Sequence, residues 1–292
     1  MRIAMTPSFK KIVLAVAFSP TASAMVSIGG RLARYFDAQL ILIHVGIRNS
    51  EQEQQMSLLL THSGVSQENI KVIWESGDPA KRILKVCRDE KADLLIAGAL
   101  KRENLVKYYI GTIARKIMRK AECSVLMVNN PTLESIAFRN IVVNAEDSPY
   151  VEDAISLACQ MGNRSHASWV HIVRELKLYG LTMVAKDNCS EEEYDDVRQK
   201  LVKDEIEKVE EILHQLPVEK PKLNIKIISG KSGFELSRFA ERKHADLLVV
   251  SAPQGKSSFL DRVFPHDLEY IFADLPCTLL VVHPRKKEVT HG

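Results

Sequence analysis

Short apolar runs alternate along the chain with segments whose apolar residues recur every three to four positions. The run LILIHV at residues 40–45 is continuous, and such runs are typical of strands that helices cover on both sides. The segment before it has helical spacing, with its apolar face at Met25, Ile28, Leu32 and Tyr35. This alternation predicts an α/β fold built on a doubly wound parallel sheet.

The same pattern occurs twice. FKKIVLAVAFSP at residues 9–20 matches FRNIVVNAEDSP at residues 138–149, an offset of 129 positions with no gap. Later segments follow in the same order, NIKVI with NIKII, ADLLIAG with ADLLVVS, and AECSVLMV with LPCTLLVV. A long repeat in two copies indicates two tandem globular domains rather than a solenoid. The predicted boundaries are domain 1 at residues 1–130, a linker at 131–137, domain 2 at 138–284 and a basic tail at 285–292.

The domains differ most between their second and third predicted strands. Domain 2 has 53 residues from His171 to Asn224, where domain 1 has 25 from His44 to Asn69. The extra length predicts a long surface helix with an acidic start, as the helix dipole favours. Its apolar residues recur at helical spacing, at Val197, Leu201, Ile206, Val209, Leu213 and Leu216. This face favours packing on the domain's own sheet over binding a partner protein.

Three helix starts carry capping signals. Asp78 with the following proline supplies a cap and a first-turn residue. Ser190 with Glu193, and Ser232 with Glu235, have capping-box spacing. We therefore expect helices to begin at these three points.

Composition narrows the possible class of protein only modestly. The 292 residues are 46% hydrophobic and 26% charged, which suits two soluble domains. The N-terminal residues lack the apolar core of a secretory leader, and no apolar run approaches the roughly 20 residues of a membrane-spanning helix. The five cysteines are scattered and form no CxxC pair, which fits a reducing compartment. We expect a cytoplasmic protein that does not bind membranes.

The net charge of +3 conceals a difference between the domains. Residues 1–137 carry 19 Lys and Arg against 12 Asp and Glu, whereas residues 138–292 carry 21 against 25. The resulting balance of +7 against −4 favours domain 1 as the binding site of an anion. The alternative is that the solvated surfaces have drifted in charge without any functional consequence.

The most informative segment is GALKRENLVKYYIGT at residues 98–112, which follows the fourth predicted strand of domain 1. In open α/β sheets, ligands collect beyond the carboxyl ends of the strands. Gly98 would let backbone N–H groups approach a phosphate, and Gly111-Thr112 opens a helix whose N–H groups favour an anion. Basic residues crowd the stretch, at Lys101, Arg102, Lys107, Arg115, Lys116, Arg119 and Lys120.

This arrangement resembles the universal stress protein family, whose nucleotide binders carry Gly-x2-Gly-x9-Gly-Ser/Thr after the fourth strand. Gly98, Gly111 and Thr112 match that motif at the same spacing, and Lys101 replaces its second glycine. The Ser-Pro after each first strand and the Gly-Asp-Pro at 77–79 also fit, and the resemblance covers nearly the whole chain. It implies a regulatory stress-response module that binds ATP or a related adenine nucleotide in domain 1.

The resemblance also implies where such a nucleotide would bind. The phosphates would lie at the two glycines and the threonine of the motif, and adenine near the valine that ends the second strand. An alanine stands in the first loop where the family's ATP binders usually have aspartate, so one carboxylate contact is lost. The implied residues are Ala17, Val45, Gly98, Lys101, Gly111, Thr112 and Ile113.

Domain 2 keeps an acid in its first loop, Glu146, but has lost the phosphate segment. Ser251 stands at the position of the first glycine, and Pro265-His266 replaces Gly-Thr. A proline nitrogen cannot donate a hydrogen bond, and residues 251–276 carry two basic and four acidic residues. We therefore expect that domain 2 does not bind ATP in the manner of the family.

Two other functions stay open. The chain could be a nucleotide-free scaffold whose long helix or surface recruits a protein. It could also be a slow ATPase, although no acidic pair for Mg²⁺ and no evident base accompany the phosphate segment. We expect a binding protein rather than an enzyme. Its partner would be an adenine nucleotide or another phosphorylated small molecule, with no metal site and no nucleic acid.

The family resemblance further implies a pseudo-dimer of the two domains. The last strands, Ser124–Val128 and Thr278–Val282, would pair and cover two sheet edges that otherwise invite aggregation. Two chains could in addition associate as a homodimer.

The remaining histidines and cysteines are interpreted as structural. His44 and His171 occupy matching places in buried strands, and we expect both to be core residues rather than metal ligands. The cysteines before each last strand, Cys123 and Cys277, have apolar surroundings and are expected in the core. The histidines near the tail, His283 and His291, are expected to be solvated.

Overall fold

The computed structural model describes residues 8–64, 66–101, 108–133, 138–176, 191–229, 232–252 and 266–283. The elements of domain 1 are β1 (Lys11–Ala15), α1 (Ala22–Phe36), β2 (Gln39–Val45), α2 (Ser50–Thr61), β3 (Ile70–Glu75), α3 (Pro79–Asp89), β4 (Leu94–Gly98), β5 (Leu100–Lys101), β6 (Tyr108–Tyr109), α4 (Thr112–Lys120) and β7 (Ser124–Val128). Those of domain 2 are β8 (Asn140–Asn144), α5 (Val151–Arg164), β9 (Trp169–Glu175), α6 (Glu191–Gln215), β10 (Leu223–Ile228), α7 (Ser232–Arg242), β11 (Leu247–Ser251), α8 (His266–Ala273) and β12 (Thr278–Val282).

Ten strands form one sheet in the order β10-β9-β8-β11-β12-β7-β4-β1-β2-β3. Neighbours within each domain run parallel, whereas β7 and β12 at the centre run antiparallel. In domain 1, β1 pairs with β2 on one side and β4 on the other, so the strand order reverses between β1 and β4. The predicted fold class, two tandem doubly wound α/β domains, is confirmed.

Helices cover both faces of the sheet. The layer of α1, α2, α5 and α6 encloses one apolar core, and the layer of α3, α4, α7 and α8 encloses the other. Successive residues of a strand point to opposite faces, so Val13 belongs to one core and Leu14 to the other. Both residues are fully buried, which is why the strands contain so few polar side chains.

The helix starts follow the capping signals where the structure describes them. Asp78 caps α3 by accepting the backbone N–H of Lys81 at 2.8 Å, and α7 begins at Ser232. Ser190, the expected cap of the long helix, lies outside the described residues. That helix, α6, packs on β10 and buries Val209 and Leu213, two of the apolar side chains predicted to face the sheet; a third, Leu216, is buried directly after the helix ends.

The sequence pattern did not predict α2. This helix buries Met56 and Leu59, which is too sparse an apolar face to stand out from a loop. The one local signal is its cap, because the side chain of Asn49 accepts the backbone N–H of Gln52 at 2.9 Å.

The joint between β7 and β12 has pseudo-twofold symmetry. Leu280 lies opposite Leu126, and the residue after each strand donates its backbone N–H to a hydroxyl of the other strand. Asn129 donates to Thr278 at 3.3 Å, and His283 donates to Ser124 at 3.2 Å. The expectation of a solvated His283 is therefore wrong, because the residue following β12 lies against domain 1.

The expected match between His44 and His171 is also wrong. The N–H of Val16 bonds the carbonyl of Ile43, and the equivalent Ala145 bonds the carbonyl of Val173. The residue equivalent to His44 is therefore the one after Val173, which is Arg174. His171 lies three residues earlier in β9, so it points to the other face of the sheet.

Candidate functional site

The candidate site in domain 1 lies at the carboxyl ends of β1 and β4, where the strand order reverses. Ala17 follows β1 and Gly98 ends β4, and both are exposed. A Cβ atom built on Gly98 would have Met25 Sδ of α1 as its nearest neighbour, at 3.7 Å, which is an ordinary van der Waals contact. The backbone at Gly98 is thus accessible to a ligand.

Val45 ends β2 and is half-buried. The end of this strand carries an aromatic cluster, because the ring of His44 lies 4.5 Å from the ring of Phe18 and 5.3 Å from that of Trp74. The Nδ1–H tautomer of His44 donates to the carbonyl of Val16 at 3.0 Å. His44 is therefore held by the first loop, which favours a structural role over metal binding.

The segment after Gly98 differs from a simple phosphate loop. It begins as a hairpin in which β5 and β6 pair, Leu100 opposite Tyr109 and Lys101 opposite Tyr108. The side chain of Leu100 lies over Gly111, where an added Cβ would come within 2.5 Å of Leu100 Cδ1. The glycine at 111 thus leaves room for the Leu100 side chain in this position, a contact that the sequence motif does not reveal.

Helix α4 opens at the other end of the segment. Gly111 is its N-cap, so no cap side chain competes for the N–H groups of the first turn. Thr112 is exposed, and the Ile113 side chain is also largely in solvent. Free N–H groups and the positive end of the helix dipole favour an anion here.

Much of the positive charge predicted to attract a phosphate is paired elsewhere. Arg115 and Arg119 both bond Glu269 of α8 in domain 2, the second at 3.1 Å. Lys116 lies 3.0 Å from Asp78, the N-cap of α3. The backbone N–H of Lys81 and the ammonium group of Lys116 hold the pKa of Asp78 below its ordinary value. These three cations are therefore paired with carboxylates of other helices and helix caps.

The structure describes two of the other four cations of this segment. Lys101 lies on β5, whereas Arg102 and Lys107 fall outside the described residues. Lys120 lies at the edge of a shallow depression between α3 and α4. The remaining residues around this depression are Asp78, Lys81, Arg82, Leu84, Lys85 and Arg88.

Domain 2 places an ionic network at the ends of its first two strands. The buried guanidinium of Arg174 donates to Asp147 at 2.5 Å, to the carbonyl of Ala145 at 2.7 Å, and to Glu205 of α6. Burial alone would lower the pKa of Arg174, but hydrogen bonds to the two carboxylates raise it. Sequence reasoning did not single out this residue; the one local signal is that the arginine directly follows the apolar run of β9.

The equivalent of Gly98 in domain 2 is Ser251, which ends β11 and is half-buried. Glu146, the acid retained in the first loop, is exposed and accepts the side-chain amide of Asn144 at 3.2 Å. Pro265 lies outside the described residues, and His266 begins α8.

Within the described ranges, no group of three or more His, Cys, Asp and Glu side chains is arranged to hold a metal ion. None of the described helices combines the length and the apolar character needed to cross a bilayer. Cys123 and Cys277 are buried with free thiols, as predicted, and so are Cys87 and Cys159.

Similar proteins indicate the family of this chain. The sequence model of the universal stress protein family matches residues 46–129 and 137–283. The universal stress protein MJ0531 of Methanocaldococcus jannaschii is 26% identical in a 145-residue alignment that covers 43% of this chain and 85% of that protein.

Two solved structures share the tandem architecture. The functionally unknown protein PA1789 from Pseudomonas aeruginosa PAO1 superposes with a TM-score of 0.68 at 15% identity, over 94% of this chain and 93% of that one. A universal stress protein from Archaeoglobus fulgidus has a TM-score of 0.66 at 14% identity, over 94% and 98%. These likenesses establish the shared fold, and the sequence match spans both repeats. The chain therefore belongs to the universal stress protein family.

Proposed function

We propose that this chain is a regulatory module that binds an adenine nucleotide in domain 1 and none in domain 2. The nucleotide would lie over the carboxyl ends of β1 and β4. Its phosphates would approach Gly98 and the start of α4 at Gly111 and Thr112, and its base would lie near Ala17 and Val45. Lys101 and Ile113 would flank the phosphates. The chemistry is binding, without hydrolysis.

The observation that carries this proposal is the difference between the two sets of strand ends. In domain 1, Gly98 and Ala17 are exposed. In domain 2, Arg174 ties the first loop to α6 through Asp147 and Glu205. A nucleotide entering domain 2 would have to break a partly buried ionic network, whose remaining charges would be costly to leave unpaired.

A nucleotide that binds at the start of α4 must displace the Leu100 side chain, which lies over Gly111. Leu100 is 52% exposed, so its side chain can turn into solvent at little cost in buried apolar area. A nucleotide that displaces it would gain the backbone N–H groups at the start of α4. Substituting Gly111 is a less specific test, because an added Cβ would displace the Leu100 side chain even in the absence of a ligand.

The sharper test is Gly98→Ala in the full chain. Its Cβ has room in the free protein, because the nearest atom is Met25 Sδ at 3.7 Å, yet it would obstruct the close approach of a phosphate. Titration calorimetry with ATP should show one nucleotide per wild-type chain and at least about tenfold weaker binding by the variant, equivalent to ~1.4 kcal/mol.

The matched control is Ser251→Ala, which changes the equivalent position of domain 2 and should leave affinity and stoichiometry unchanged. Loss of affinity in Ser251→Ala with none in Gly98→Ala would move the site to domain 2. The absence of any heat with ATP at millimolar concentration would leave the nucleotide-free scaffold as the better description of the protein.

A further inference from the structure

Helix α4 of domain 1 is held by helix α8 of domain 2. Arg115 and Arg119 lie one turn apart on α4 and converge on a single carboxylate, that of Glu269. The side chains of Arg115 and Glu269 are 32% and 28% exposed, so water screens their attraction less than it screens an open surface pair.

The backbone directly before Gly111 is held by the same helix. The N–H of Ile110 donates to the carbonyl of Phe272 in α8 at 2.9 Å. The carbonyl of Ile110 accepts Nε of Arg115, also at 2.9 Å. Because Arg115 is itself bonded to Glu269, both polar backbone groups of Ile110 depend on domain 2. Ile110 is buried, so losing these bonds would leave desolvated groups unpaired.

Arg115 and Glu269 are equivalent residues of the two repeats. AECSVLMV and LPCTLLVV align at an offset of 154 positions, the same offset that places Leu126 opposite Leu280 at the joint. A twofold axis brings equivalent surfaces together. Two identical charges at this position would therefore repel, whereas a cation in one repeat and an anion in the other attract.

We propose that α8 of domain 2 is a positioning element for the ligand site of domain 1, with Glu269 as its principal positioning residue. This inference rests on the proposed function, since Gly111 and Thr112 are the ligand residues that α8 would hold in place. Domain 2 would then contribute to ligand binding in domain 1, although domain 2 has lost its own phosphate segment. The degenerate repeat fixes the start of α4, so its N–H groups are oriented before the nucleotide arrives.

The test is Glu269→Gln in the full chain. The matched control is Glu241→Gln, which removes the same charge from an exposed site on α7 of the same domain. Two quantities are measured for each protein: amide hydrogen exchange of residues 110–115 without ligand, and the dissociation constant for ATP. We expect Glu269→Gln to accelerate exchange about tenfold and weaken ATP binding about three- to tenfold. Glu241→Gln should match the wild type in both.

The outcomes separate the inference from the function on which it rests. Faster exchange with unchanged ATP affinity would overturn the positioning role, because a purely structural contact gives that result. Unchanged exchange would overturn the anchoring itself. A wild-type protein that binds no ATP would refute the proposed function, and the exchange measurement would then decide alone whether Glu269 holds the start of α4.

Discussion

His44 and Arg174 occupy the same place in the two repeats, and each bonds the same carbonyl of the first loop. His44 lies 3.0 Å from the carbonyl of Val16, and Arg174 lies 2.7 Å from that of the equivalent Ala145. Their second partners are equivalent as well, because Phe18 and Asp147 follow two residues after these carbonyls. A contact between rings in domain 1 therefore corresponds to an ion pair in domain 2.

Both positions differ between the repeats, and the first loop is held in two chemically different ways. A ring contact holds the first loop of domain 1, whereas an ion pair with a buried arginine holds that of domain 2. This difference supports assigning the ligand to domain 1.

Removing the ionic network that holds the first loop of domain 2 should lower the stability of the protein. We expect Arg174→Met to lower the free energy of unfolding by about 1–3 kcal/mol, since the carbonyl of Ala145 would lose this donor and the carboxylate of Glu205 would keep Lys208 but lose its buried partner. Asp147→Asn should cost less than about 1 kcal/mol, because a mostly exposed partner contributes little. Urea titrations followed by circular dichroism measure both values. Equal losses in the two variants would contradict this account of the network.

His171 should make stability depend on pH. Burial and the nearby charge of Lys243 lower the pKa of His171, and Nδ1 accepts the side-chain amide of Asn224 at 3.0 Å. The unfolded chain therefore binds more protons than the folded one below about pH 6.5, and stability should fall as the pH drops below that value. The decline should end below the folded-state pKa.

The measurement is the urea midpoint between pH 7.5 and pH 5 for the wild type and His171→Gln. The glutamine cannot be protonated, so the variant should have the shallower decline with falling pH. Parallel curves would show that His171 does not carry this dependence.

The two tryptophans make the joint between the domains measurable, since Trp74 lies in β3 and Trp169 in β9. Leu126 and Leu280 are fully buried at the centre of the continuous sheet. We expect the domains to unfold together, so Trp74→Phe and Trp169→Phe should give the same fluorescence midpoint in urea. Leu126→Ala should lower both midpoints, by about 2–5 kcal/mol in stability. Two separate transitions in the otherwise unchanged chain would argue against coupling.

The packing of α1 against the turn after α2 can be tested at two adjacent glycines. A Cβ on Gly30 would lie 1.8 Å from the carbonyl oxygen of Ser63, whereas one on Gly29 would lie 3.0 Å from the tip of the Leu14 side chain. Gly30→Ala should cost about 1–3 kcal/mol, because backbone must move. In Gly29→Ala, the ~1 kcal/mol gained in helix propensity should offset much of the crowding. Thermal melts of both variants measure the difference, and equal melting temperatures would contradict the packing argument.

The sequence by itself determined the architecture of this protein. The colinear repeat predicted two domains, the apolar runs predicted their buried parallel strands, and Asp78 marked the start of α3. Each of these is a local property, because strand burial and helix capping depend on residues a few positions apart. The same kind of information identified Gly98, Gly111 and Thr112 as the family's motif. Helix α2 was not predicted because its apolar face consists of few residues.

Tertiary structure alone decided which side chains meet. Arg115 pairs with a carboxylate 154 positions away, His283 is buried against domain 1, and Leu100 covers Gly111. One additional residue between the first two strands of domain 2 made Arg174, rather than His171, the equivalent of His44. Local periodicity reports whether a side chain is buried, but its partner is set by how distant segments pack. The cations of the ligand segment could therefore be counted from the sequence, while their pairing across the domain joint could not.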